Sequence, residues 1–180
     1  MSFNIVVTDS NPEELQFDLE NCSCSFPNAL RRLILTDVNT IGFATEDYEN
    51  SSIRVVENTS SLHNEFLLHR FSLIPVYFHS VKDFDPSHYK FTLNKTNKTT
   101  AIIDVTTNDF TVFNTITGKD EKTSEFFPVN SITGDGILIV RLKPSPNGDG
   151  EQIHLEGSAV VQNGSFNAGF SPVSAVMFTN

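Results

Sequence analysis

Between Phe3 and Glu20 apolar and polar residues alternate, with Phe3, Ile5 and Val7 followed by Leu15, Phe17 and Leu19, and Gln16, Asp18 and Glu20 set between and after the latter. A period of two sends successive side chains to opposite faces of a strand, so the segment predicts two half-buried strands joined by a turn at Asn11-Pro12. Beyond Asn21 the period lengthens. Phe26, Ala29, Leu30, Leu33, Ile34 and Val38 fall at helical spacing, with Ser25 as the expected N-cap and Pro27 in the first turn. This stripe is expected to be buried, which leaves Arg31, Arg32 and Leu35 together as a second contact face, because residues three and four apart are neighbours on a helix.

From Thr40 to Glu57 the pattern returns to short β-like runs, chiefly Ile53, Val55 and Val56, interrupted by a polar loop from Glu46 to Ser52. A cluster of capping residues, Glu57-Asn58-Thr59-Ser60-Ser61, then precedes a helical pattern through Arg70, about three turns long, which Pro75 must stop. The remainder reads as strands: Tyr89, Phe91 and Leu93; Ala101, Ile103 and Val105; Phe110 and Val112; Ile137 to Leu142; a longer strand from Ile153 through Val161; and a last one from Val173 to Phe178. Gly, Pro and Asn clusters separate them, as in Pro144-Ser145-Pro146-Asn147-Gly148. No internal repeat, heptad or low-complexity tail is expected.

Charge narrows the functional classes. The 180 residues carry a formal net charge of −10, and the twelve Lys and Arg are scattered, so the basic footprint of a protein that grips phosphates itself is missing. No direct nucleic-acid contact is expected. No apolar stretch approaches the ~20 residues that cross a bilayer, and the N-terminal stretch lacks a basic segment followed by an apolar run, so a soluble, intracellular chain without membrane contact is expected. Cys22 and Cys24 are the only cysteines and sit one residue apart, too strained for a useful disulfide. The sequons at Asn50, Asn58, Asn94, Asn97 and Asn163 are read as products of an Asn/Thr/Ser-rich composition.

Candidate chemistry is sparse. His63 and His69 are six apart, whereas metal-binding histidines four apart share a helix face, and the Cys pair has no second pair to complete a tetrahedral site. The nucleophile elbow, the phosphate loop and the dinucleotide fingerprint are all absent from the sequence. Hence no catalytic residue, no metal ligand and no cofactor is expected.

Three stretches carry a family resemblance. Asn28-Ala29-Leu30-Arg31-Arg32-Leu33-Ile34-Leu35 resembles the Asn-x-Leu-Arg-Arg helix of the α and α-like subunits of cellular RNA polymerases. Glu57-Asn58-Thr59-Ser60-Ser61-Leu62, with Glu65-Phe66, His69-Arg70 and Leu73-Ile74-Pro75, is similar to a block typical of the archaeal and eukaryotic branch. Phe170-Ser171-Pro172-Val173 resembles that family's Trp-Ser-Pro-Val strand. The resemblance implies an α+β fold, with a dimerisation domain split by an inserted β-rich domain: residues 1–43 as the N-terminal half of the former and 44–180 as the insert.

It also implies a non-catalytic assembly subunit. The partners would be a smaller α-like subunit, the second-largest and largest polymerase subunits, and a small adaptor subunit. Interface residues would be Phe26, Asn28, Leu30, Arg31, Arg32 and Leu35 on the first helix, and Glu65, His69 and Arg70 on the second. Departures accompany the match. The stretch between Thr40 and Asn58 is longer than usual, Phe71 and Ser72 replace Leu and Gly, Phe170 replaces Trp, and the Cys cluster that holds zinc or an iron-sulfur cluster in relatives is missing. In relatives a returning strand and long helix complete the dimerisation core, so residues 1–43 are expected to have an unfinished core that another polypeptide finishes. The divergence fits a large DNA virus as source, with location in nucleus, cytoplasm or virion. The competing readings are a free-standing β-rich binding module and an independent hydrolase resting on the scattered His and carboxylates.

Overall fold

The computed structural model describes residues 3–11, 14–47, 49–146 and 148–179. Pro12 of the expected first turn, Tyr48 of the polar loop and Asn147 of the Pro/Gly-rich connection lie outside the described residues.

The chain opens with β1 (Asn4–Ser10) and β2 (Leu15–Glu20), then α1 (Ser25–Thr36) and β3 (Asn39–Gly42). It continues through β4 (Ile53–Asn58), α2 (Asn64–Ser72), β5 (Tyr89–Thr96), β6 (Ile103–Thr106), β7 (Phe110–Asn114), β8 (Lys119–Glu121) and a single turn, α3 (Thr123–Phe126). β9 (Leu138–Leu142), β10 (Gln152–Gly157) and β11 (Val160–Asn163) follow. The fold is therefore α+β and rich in strands, as the periodicities imply.

One five-stranded sheet, in the order β4-β10-β5-β7-β8, forms the body, and three two-stranded ribbons, β1-β2, β3-β11 and β6-β9, complete the strand pairing. All pairs are antiparallel. Alternation explains the sheet: Phe91 and Leu93 on β5, Phe110 and Val112 on β7, and Ile153 and Leu155 on β10 turn inward, with polar neighbours between them. Aromatic rings fill the interior. Phe43 meets Phe91 at 5.5 Å and Phe71 at 6.2 Å, and Phe110 stacks on Phe127 at 5.1 Å, distances at which ring pairs attract beyond simple burial. Ile41 and Phe43 are buried in this same core.

The N-terminal elements differ from the body. No described residue from Phe3 to Val38 is buried. The expected helical stripe of Phe26, Ala29, Leu30, Leu33, Ile34 and Val38 is a correction: α1 forms, but Pro27, Leu30, Arg31, Ile34 and Leu35 are the half-buried side, and Phe26, Ala29, Leu33 and Val38 are exposed. Periodicity names the faces of a helix without saying which one the rest of the chain covers.

Other expectations change in detail. The residue at the N-cap of α1 is Cys24, and Ser25 is the first helical residue. The strand expected from Ile153 through Val161 breaks at Ser158 and Ala159, so β10 and β11 enter different sheets. Residues 173–178 form no strand, because no neighbouring chain segment offers them a ladder among the described residues.

Two turns share one local design. In Asn114-Thr115-Ile116-Thr117-Gly118 and Asn130-Ser131-Ile132-Thr133-Gly134 the Asn Oδ1 accepts the amide N–H groups of the second and third following residues at 2.8–3.2 Å. The glycine N–H of each returns to the Asn carbonyl, at 2.9 and 2.8 Å. Both glycines have positive φ, 67° and 74°, the left-handed conformation that disfavours a Cβ. Each turn holds an isoleucine in solvent, Ile132 at 91% exposure.

Candidate subunit interface

α1 follows locally from its residues, since Pro27 fits the first turn and Leu, Ala, Arg and Ile continue it. Its outer surface continues onto the hairpin. In the β1-β2 register Ile5 faces Leu19 and Val7 faces Phe17, which places Ile5, Val7, Phe17 and Leu19 on one side of the ribbon. Phe3 reaches Phe26 of α1, ring centroids 5.0 Å apart in edge-to-face geometry. On that side Phe17 and Leu19 are half-buried, whereas Val7 is 58% exposed and Leu33 52%, with Ile5, Leu15 and Val38 similarly open. Exposed apolar groups this numerous on neighbouring elements mark an interaction surface rather than an isolated irregularity.

The polar interface candidates sit beside it. Asn28 Oδ1 accepts from Arg31 Nε at 3.4 Å and Nη2 at 3.2 Å, so the arginine is folded along the helix while half-buried. Arg32 is exposed, and neither arginine forms an ion pair among the described residues. Leu30 and Leu35 are half-buried on the body side and Phe26 is open. The face expected to carry Arg31, Arg32 and Leu35 therefore divides, with Arg31 and Leu35 turned toward the body and Arg32 turned away.

A second surface lies on α2. Leu67, Leu68 and Phe71 are buried beneath it, and Pro75 ends the pattern three residues after the last helical position. Glu65 and His69 line a shallow groove of about 460 Å³ together with Thr45, Glu46, Leu68, Ser72 and Asn167. Arg70 points elsewhere and donates from Nη2 to the Leu138 carbonyl at 2.7 Å, which ties α2 to β9. No hydrogen bond or ion pair among the described residues joins the α1 set to the α2 set, so the predicted residues form two groups.

Sequence reasoning missed the apolar members of the second group. Phe66 is 68% exposed, and Leu73 and Tyr77 in the segment that leaves α2 are comparably open. Phe66, Arg70 and Leu73 stand four and three apart, a spacing that already placed them on one face.

Chemical machinery is thin by comparison. Among the described residues no three His, Cys, Asp or Glu side chains lie together in a way that could hold a metal ion. No buried side-chain nitrogen or oxygen among them lacks a hydrogen-bond partner. Among the described residues no helix is long and apolar enough to cross a membrane. Of the sequons, Asn97 is buried, with Nδ2 donating to the Ala101 and Leu142 carbonyls and Oδ1 accepting from Thr99, so in the folded chain it is closed to modification.

No family model matches the chain. Over 97% of its length it is 32% identical to a protein of Tetrahymena thermophila named Conjugation stage-specific protein, 59% of which it covers. Over an equal share it is 26% identical to the Arabidopsis thaliana subunit 3 of DNA-directed RNA polymerases II, IV and V, 56% of which it covers. A shorter stretch, 36% of this chain and 29% of the other, is 42% identical to the Rpo3 subunit of the DNA-directed RNA polymerase of Methanocaldococcus jannaschii. The chain thus spans less than three fifths of the length of the first two relatives.

Proposed function

We propose that this chain, a relative of the α-like subunits of DNA-directed RNA polymerases, is itself a non-catalytic assembly subunit of such an enzyme. The single observation that carries the reading is the open apolar face of the β1-β2 ribbon and α1, from Phe3 to Leu33, two elements in which no described residue is buried. A two-stranded ribbon alone is marginally stable in water, and a helix with no buried residue gains little from packing, so both elements require a cover. A smaller α-like subunit supplies it, completing a dimerisation domain of which residues 1–43 are one half. The interface would be of obligate size, on the order of 2,000 Å² or more.

Arg32 and the Asn28-Arg31 pair border that face and dock the second-largest subunit, for which the planar, multiply donating guanidinium is well suited. The α2 surface, with Glu65, His69 and Arg70 and the apolar Phe66 and Leu73, extends the docking to the large subunits and the small adaptor. Catalysis stays with those chains, and this one acts by holding them in register.

Co-expression with the polymerase subunits of the same source, followed by size-exclusion chromatography, tests the reading. The wild-type chain is expected in a stoichiometric complex. Leu33→Asp is expected to abolish pairing with the smaller α-like subunit, because an unpaired carboxylate would be buried at the centre of the contact. Arg31→Glu with Arg32→Glu is expected to block entry of the large subunits while the body of the chain stays folded. Undiminished assembly of both variants would defeat the assignment.

A further inference from the structure

α1 has no buried side chain, so packing by itself does not fix its direction. Its C-terminal end is held from another part of the chain. β11 ends at Asn163, opposite Asn39 of β3, and the turn that follows passes beneath the last turn of the helix. There the Ser165 N–H donates to the Thr36 carbonyl at 2.9 Å, satisfying one of the carbonyls that every helix end leaves open.

Gly164 makes this approach possible. A Cβ at that position would stand 2.0 Å from the Leu35 carbonyl oxygen and 3.3 Å from the Thr36 Cα, and the obstacle is helix backbone that cannot swing aside. The turn is itself anchored. The Asn163 carbonyl accepts the Phe166 N–H at 3.0 Å and the Asn163 Oδ1 accepts the same N–H at 3.3 Å, Asn167 Oδ1 accepts the Gly169 N–H at 2.6 Å, and Phe170 is buried while its carbonyl accepts from Thr40 Oγ1 at 2.7 Å. The helix is therefore joined to the β3-β11 ribbon twice, covalently through Asp37 and Val38 into β3, and by the Ser165 bond to the continuation of β11. One attachment would leave a swivel, whereas two set a direction.

We propose that Gly164 is a positioning residue for assembly: by letting the 163–166 turn close on Leu35 and Thr36, it fixes the angle at which α1 presents Phe26, Leu33 and Arg32 to a partner polypeptide. This rests on the reading of α1 as an interface.

The test compares three variants of the full chain: Gly164→Val, the milder Asn163→Ala, and Gly150→Val as a control. A Cβ at Gly150 also meets backbone, the Lys143 carbonyl at 2.5 Å, but in the connection between β9 and β10. Hydrogen exchange of α1 and of β5 and β10 is measured, together with co-purification of the co-expressed smaller α-like subunit. In Gly164→Val the α1 amides are expected to exchange about tenfold faster or more with β5 and β10 unchanged, and co-purification to fall by a similar factor. Asn163→Ala should move both readouts in the same direction and less, and it decides the matter if the valine variant does not fold. The control should leave α1 exchange unchanged. Unaltered α1 exchange in Gly164→Val, or equal loosening of α1 in the control, would overturn the positioning role while Leu33→Asp still speaks for the interface. A loosened α1 with full co-purification would overturn the interface reading, and the proposal with it.

Discussion

The sixteen phenylalanines divide by environment, and the division separates folding from function. Phe71 is fully buried and meets Phe43 and Phe110, so Phe71→Ala removes a ring from a packed interior and is expected to cost about 3–5 kcal/mol, read from urea denaturation. Phe26 is 44% exposed and touches only Phe3 among the described rings, so Phe26→Ala is expected to change the stability of the isolated chain by roughly 0.5 kcal/mol or less. The ranking should invert for assembly. On the outer face of the sheet, Lys90 donates to Glu156 at 2.7 Å and, with His154 behind it, holds the carboxyl below its ordinary value of 4.5. A carboxylate with a lowered pKa stabilises the fold when ionised, so its contribution is complete above 4.5 and fades as pH falls through the lowered value. Denaturation midpoints of Glu156→Gln should match those of the wild type well below pH 4.5 and fall slightly short of them near neutrality.

At the scale of elements, the two helices show what local sequence can and cannot fix. α2 was legible as a helix that Pro75 closes and whose Leu67, Leu68 and Phe71 are buried, but the expected capping cluster does not open it: Glu57 and Asn58 belong to β4, and His63 stands at the N-cap without a side-chain capping bond. α1 was legible as a helix but not in its orientation, since Leu30 and Ile34 of the expected stripe are half-buried while Phe26, Ala29 and Leu33 stay exposed. In the isolated chain the α1 amides should therefore exchange far faster than those of α2, a contrast that mass spectrometry resolves and that equal protection would contradict. The final pattern from Val173 to Phe178 illustrates the same limit, for alternation suits a strand only where a second strand is present to pair with it. The paired Asn-x-Ile-Thr-Gly turns went unread because five-residue similarity is slight against an Asn- and Thr-rich background, and their equivalence lies in the hydrogen bonds.

For the molecule as a whole, one body with an aromatic core carries a ribbon and helix in which no described residue is fully buried. An isolated chain of this kind should bind a hydrophobic dye such as ANS and self-associate, and Val7→Asp with Leu33→Asp should suppress both without lowering the melting temperature of the body. A melting temperature that falls instead would place those residues in the folding core.

What the sequence determined by itself is the inventory: the alternation that makes strands of β1, β2, β5, β7 and β10, the helical spacing of α1 and α2, the acidic balance, and the motifs that resemble a polymerase subunit. These depend on residues within a few positions of one another, where backbone geometry dictates periodicity. The tertiary structure alone decided which face of α1 is covered, where the strand after Gly157 changes sheets, and that Gly164 lies against Leu35. Such outcomes depend on surfaces supplied from distant parts of the chain, and burial is a property of the pair of surfaces that meet rather than of either pattern alone.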